Sequence, residues 1–105
     1  MVAVSDASAT VLQRRYARSE RMVGRRIAGE YLIVPIVGRG ADLDAIFHLN
    51  GLGAFIWEKL SGKTTGVAIT AAIVERYEVD KTTACRDYIE FIEKLQSIGA
   101  IQAKP

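Results

Sequence analysis

His48 and Cys85 are the only histidine and the only cysteine in 105 residues, so any nucleophilic or metal chemistry must be built around one imidazole and one thiol. A catalytic base needs a nucleophile or a bound substrate to serve, and a zinc site needs two or three further ligands converging on it. Asp42 and Asp44 fall in a turn upstream of His48 and complete neither arrangement. Cys85 has no second thiol for a disulfide and reads as a small packing residue in a reducing compartment, so the expected location is cytoplasmic. Gly51-Leu52-Gly53 suggests a phosphate cradle, but the third position of that fingerprint is Ile56, no Walker lysine follows, and no βαβ unit surrounds it. The carboxylates from Glu75 to Glu93 alternate with Arg76, Lys81, Arg86 and Lys94, as solvated helix faces do. The chain is therefore expected to be no enzyme, to hold no cofactor or metal, and to act by binding.

Half the residues are apolar and a quarter charged, which suits one ordinary globular core. No apolar run is long enough for a membrane span, and no secretory signal opens the chain, so no membrane partner is expected. Six arginines against Asp6 and Glu20 give residues 1–26 a charge of +4, leaving −2 on the remainder. Residues 1–21 read as a flexible basic N-terminal arm, and residues 22–105 as the folded domain.

Two β-rich runs, Met22 to Ala28 and Glu30 to Val37, are punctuated by a turn at Gly29, and AIFHLN supplies a third short strand. Pro35, late in the second run, removes a backbone donor, so that end should lie at an edge or a bulge. Three helices follow, capped by Asn50, by Thr64 or Thr65, and by Asp80, with Gly99 suited to a left-handed residue after the last. The expected fold is α+β: an N-terminal three-stranded antiparallel meander followed by three helices, like a winged helix-turn-helix.

That fold raises a DNA-binding regulator as the alternative function. The third helix with its cap carries Lys81, Arg86 and Lys94 against Asp80, Asp87, Glu90 and Glu93, a poor charge for a groove-reading helix, so nucleic acid is an unlikely partner. On a helical wheel Ala84, Tyr88, Phe91, Leu95 and Ile98 form the expected core stripe, and Cys85, Ile89 and Ile92 widen it. An apolar helix flank beside an edge strand is suited to accept an extended peptide by strand addition. An edge carrying Ile46 and Phe47 also invites self-pairing, so a homodimer is expected without peptide.

The hLN-x-x-G-x-x-IW segment from His48 to Trp57, L-x-G-K-T at Leu60 to Thr64, ERY-x-VD at Glu75 to Asp80, and the spacing of Asp87, Phe91 and Leu95 occur in order. With these motifs, from about Arg25 to Ile101, the chain resembles the PqqD family of small peptide-binding proteins of pyrroloquinoline quinone biosynthesis. The resemblance implies a RiPP recognition element, a non-catalytic domain. Such a domain binds the leader of a ribosomally made precursor peptide and presents it to a modifying enzyme, usually a radical S-adenosylmethionine maturase. It further implies that the leader pairs with the third strand, at Ala45, Ile46, Phe47, His48 and Leu49. The outer flank of the third helix, taken as Cys85, Ile89 and Ile92, would close the cleft.

Overall fold

The computed structural model describes residues 6–36 and 46–105, so the turn holding Asp42 and Asp44, and the expected peptide contact Ala45, lie outside the described residues. The meander is formed by β2 (Met22–Ile27), β3 (Glu30–Pro35) and β4 (Phe47–Leu49), paired antiparallel in that order. Ala28 and Gly29 turn the β2–β3 hairpin, both at positive φ (52° and 83°), the pattern of a two-residue primed turn whose twist matches the strands. Pro35 is the last residue of β3, and among the described residues the β3–β4 pairing runs no further than Ile33↔Phe47.

Helices α2 (Gly51–Lys59), α3 (Gly66–Tyr77) and α4 (Lys81–Ser97) start at the expected caps. The Asn50 side chain accepts from Gly53 N–H at 2.7 Å, Thr65 from Ala68 N–H at 3.3 Å, and Asp80 from Thr83 N–H at 2.6 Å. The Thr83 bonds hold the Asp80 carboxyl below its ordinary pKa, so this cap stabilises at neutral pH and is lost as acid protonates it. Gly99 has φ 72°, and behind it Ala100 and Ile101 are buried.

The N-terminal segment departs from expectation. It contains α1 (Asp6–Gln13) and β1 (Arg15–Arg18), and β1 is the central strand of a second antiparallel sheet between β5 (Ser61–Thr65) and β6 (Ile101–Lys104). Tyr16 is 1% exposed, so residues 15–18 are core structure and the proposed boundary at residue 22 separates no independent unit. The arginines are partly structural. Arg18 donates to the carbonyls of Trp57 and Glu58 at 2.8 and 2.9 Å, satisfying the end of α2 where cations are favoured. At Gly66 the backbone N–H donates to the Arg14 carbonyl at 3.2 Å, and a Cβ there would stand 2.7 Å from the Tyr88 ring and 2.9 Å from the Leu12 backbone. Only glycine lets the N-terminal segment cross the start of α3 so closely.

The core gathers Ile33, Ile56, Trp57, Leu60, Ile69, Ile73, Tyr88, Ile92 and Leu95, with Tyr16 from the second sheet. The described residues form a mixed α/β fold of antiparallel strands and four helices, one helix more than expected. The hydroxyls of Tyr16 and Tyr88 are both buried with no hydrogen-bond partner among the described residues, and burial, then the neighbouring Tyr16, pushes the Tyr88 pKa up. An orphaned buried hydroxyl is a cost, so Tyr88→Phe should stabilise by about 1 kcal/mol, a rise of roughly 5 °C in melting temperature by calorimetry. A fall in melting temperature would reveal a hydroxyl that is satisfied after all.

Candidate functional site

β4 lies at the edge of the meander, with β3 on one side and no strand on the other among the described residues. Its backbone therefore offers unpaired groups along Phe47, His48 and Leu49. Phe47 and Leu49 face Ile33 and Tyr31 across the ladder and are half-buried, as is Ile46 just before the strand. His48 is exposed, and its Nδ1 lies 3.9 Å from the Glu30 carboxylate. An exposed edge histidine with one carboxylate neighbour has no geometry for catalysis or metal binding.

Between β4 and α4 runs a cleft of about 130 Å³ lined by Phe47, Leu49, Phe91, Lys94, Leu95 and Ile98, among others. It shares the lining residues Asn50, Gly53, Phe91 and Lys94 with a neighbouring cavity of about 350 Å³ that reaches Leu52, Ile56, Asp87 and Glu90. The trough is thus apolar beside Phe47, Leu95 and Ile98, with Lys94 in its middle and Asp87 and Glu90 at the α2 end. A Cβ on Gly53 would stand 3.3 Å from the Asn50 side chain and 3.4 Å from both the Leu49 side chain and the Phe91 ring, so the first turn of α2, capped by Asn50, seats close against β4 and α4. The GLG segment is a tight entrance to a buried helix.

The helix residues that face β4 are not the expected ones. Ile92 is completely buried in the core, and Cys85 and Ile89 are half-buried outside the trough lining. At 100° per residue Cys85 lies about 120° round α4 from Phe91. Phe91 and Ile98, placed in the core by the helical wheel, are half-buried and line the trough instead. α1 packs on α3 and α4, a neighbour for α4 that the sequence did not announce, while Phe91 lies in the trough. A signal in the sequence did point there, since Asp87, Phe91 and Leu95, the spaced residues of the fourth motif, all line the trough.

Comparison with known proteins gives two matches. The profile of the family described as Coenzyme PQQ synthesis protein D (PqqD) matches residues 30–101. In structure the chain is similar to TbiB1, solved in complex with the TbiA(beta) leader peptide, with a TM-score of 0.67 and 24% sequence identity over 82% of this chain and 94% of that one. No curated protein matches the sequence significantly. No helix among the described residues is long and apolar enough to cross a membrane.

Proposed function

The chain belongs to the coenzyme PQQ synthesis protein D family, and from that membership we propose that it binds the leader of a ribosomally made precursor peptide. It then presents the peptide to a modifying enzyme, a radical S-adenosylmethionine maturase, to which the redox chemistry belongs. The family is one of non-catalytic peptide chaperones, and this chain acts in the same way. The observation that carries the reading is the open edge of β4 beside the trough of Phe91, Lys94 and Leu95. The leader adds a strand to Phe47–Leu49 through backbone bonds and sends alternate side chains into the trough, which selects an apolar anchor next to Phe47 and Ile98. Ile46 extends that edge, whereas Cys85, Ile89 and Ile92 are replaced as contacts by Phe91, Leu95 and Ile98. The structural likeness to TbiB1, whose leader is bound in the solved complex, supports the choice of ligand. In this reading the meander is the wing and α2–α4 the helical body of a winged fold.

The reading is tested by selecting binders from a displayed random peptide library and titrating the strongest into isotopically labelled protein. Amides of Phe47–Leu49 should gain protection from hydrogen exchange, and resonances of Phe91–Ile98 should shift. Binding without new protection on β4 would remove strand addition, and failure to select any peptide would remove the function. The DNA-binding alternative predicts a mobility shift with duplex DNA at low salt. The carboxylates Asp87, Glu90 and Glu93 on α4 oppose it by repelling phosphate.

A further inference from the structure

The outer face of the second sheet carries charge of one sign. Tyr16 is buried in the core, so its neighbours Arg15 and Ala17 face outward, together with their ladder partners Lys104 and Gln102 on β6. Arg15, Lys63 and Lys104 are all exposed. The Arg15 Nε donates to the Lys63 carbonyl at 3.4 Å. A Cβ on Gly62 would stand 3.2 Å from the Ala17 Cβ and 3.4 Å from the Lys104 Cγ, so the Lys104 stem lies across Ala17 toward β5. Arg15 and Lys104 thus both lean on the Gly62–Lys63 stretch, where Gly62 has φ 84° and the β1–β5 register shifts.

Nothing in the sheet neutralises this charge. RYAR, SGKTT and IQAK contain no aspartate or glutamate, and none of the three cations has an ion-pair partner among the described residues. The carboxylates that border the sheet in sequence, Glu20 after β1 and Glu58 before β5, pair with none of them. Arg15 stands directly opposite Lys104 in the ladder, where like charges repel. Lysines on edge strands such as β5 and β6 guard against edge pairing, but Arg15 lies on the central strand and has no edge to guard. A partner bearing carboxylates would turn that repulsion into attraction.

We infer that this face is a docking surface for an acidic segment of a partner polypeptide. The inference rests on the reading above, in which that partner is the modifying enzyme and needs a surface of its own. No residue of β1, β5 or β6 lines the trough, so the sheet stays free while a leader is bound. A second copy of the chain is a poorer occupant, because its Asp87 and Glu90 line the trough and docking through them would shut out the leader. Nucleic acid is poorer too. Three cations neutralise few phosphates, and RYAR, SGKTT and IQAK offer no exposed aromatic ring on which a base could stack, Tyr16 being buried.

The test titrates N-acetyl-Glu-Ser-Glu-Ser-Glu-amide, its glutamine counterpart and a short DNA duplex into the isotopically labelled full chain at low salt. The acidic probe should shift amides of residues 15–17, 61–65 and 102–104 and bind about tenfold more tightly than the glutamine probe. Saturating the trough with the library-selected peptide should leave that binding unchanged. R15Q/K63Q/K104Q should abolish the preference while still unfolding cooperatively in urea and keeping its affinity for the selected peptide. Equal binding of the two peptide probes, or shifts confined to other elements, overturns the docking surface. Tighter binding of the duplex than of the acidic probe overturns the choice of occupant. Displacement of the acidic probe by the selected peptide overturns simultaneous docking and leaves the leader reading intact, whereas failure to select any peptide removes that reading without touching the acidic-probe result.

Discussion

Replacing Phe91 with aspartate should cost the protein a hundredfold or more of its affinity for a leader peptide. Phe91 lines both halves of the trough between β4 and α4, so its ring is the apolar surface on which an anchoring side chain would rest. Truncating such an aromatic anchor costs about 2 kcal/mol in many interfaces. Aspartate adds an uncompensated charge that the bound peptide would cover, beside Asp87 and Glu90, which brings the expected total to about 3 kcal/mol or more, a hundredfold. Because Phe91 is half-buried, the fold should tolerate the change. Phe91→Leu serves as the control, keeping an apolar side chain and an affinity within about threefold of the original. Fluorescence anisotropy with the selected peptide measures both. Near-equal affinities for the parent and F91D would place the peptide elsewhere.

A chain lacking residues 1–18 should fail to fold. The deletion removes the central strand of the second sheet and the Tyr16 side chain, and it strips β5 and β6 of their common partner. Loss of a buried aromatic alone costs about 3–5 kcal/mol, against a total stability of about 5–15 kcal/mol for a domain. The Ala100 carbonyl also loses the Ser19 N–H bond unless residue 19 can still reach it, and the end of α2 loses Arg18. Circular dichroism and urea unfolding should show no cooperative transition. Replacing Arg14 and Arg15 with glutamine keeps the strand while removing charge, so that variant should unfold cooperatively. A stable truncated protein would restore the picture of a dispensable arm.

The meander and the three long helices were legible because each carries its own local signal. The hairpin announced itself through Gly29 between two β-rich runs, and the helices through Asn50, Thr65 and Asp80 ahead of apolar periods of three and four residues. The second sheet had no such signal. RYAR, SGKTT and IQAK are short, and they are strands only because they pair across long stretches of chain, with Arg15 against Lys104 and Ala17 against Ser61. Propensity in a strand is mostly a statement about neighbours, and those neighbours are not adjacent in sequence. The small residues of α1, DASATVLQ, likewise owe their helix to packing on α3 and α4. The candidate site inherited the gap. The edge strand was visible in FHL, whereas the packing of α1 beside α4 was not.

The pairing of Arg15 with Lys104 also sets an order of events during synthesis. The meander and α2–α4 can assemble from contacts made along the growing chain, and β1 can pair with β5, but its other edge waits for β6. Until then the second sheet around Tyr16 is incomplete, and the β1–β6 ladder must close a long loop. Nascent protein should therefore be protease-sensitive at its N-terminal segment and become resistant only once β6 has emerged and paired.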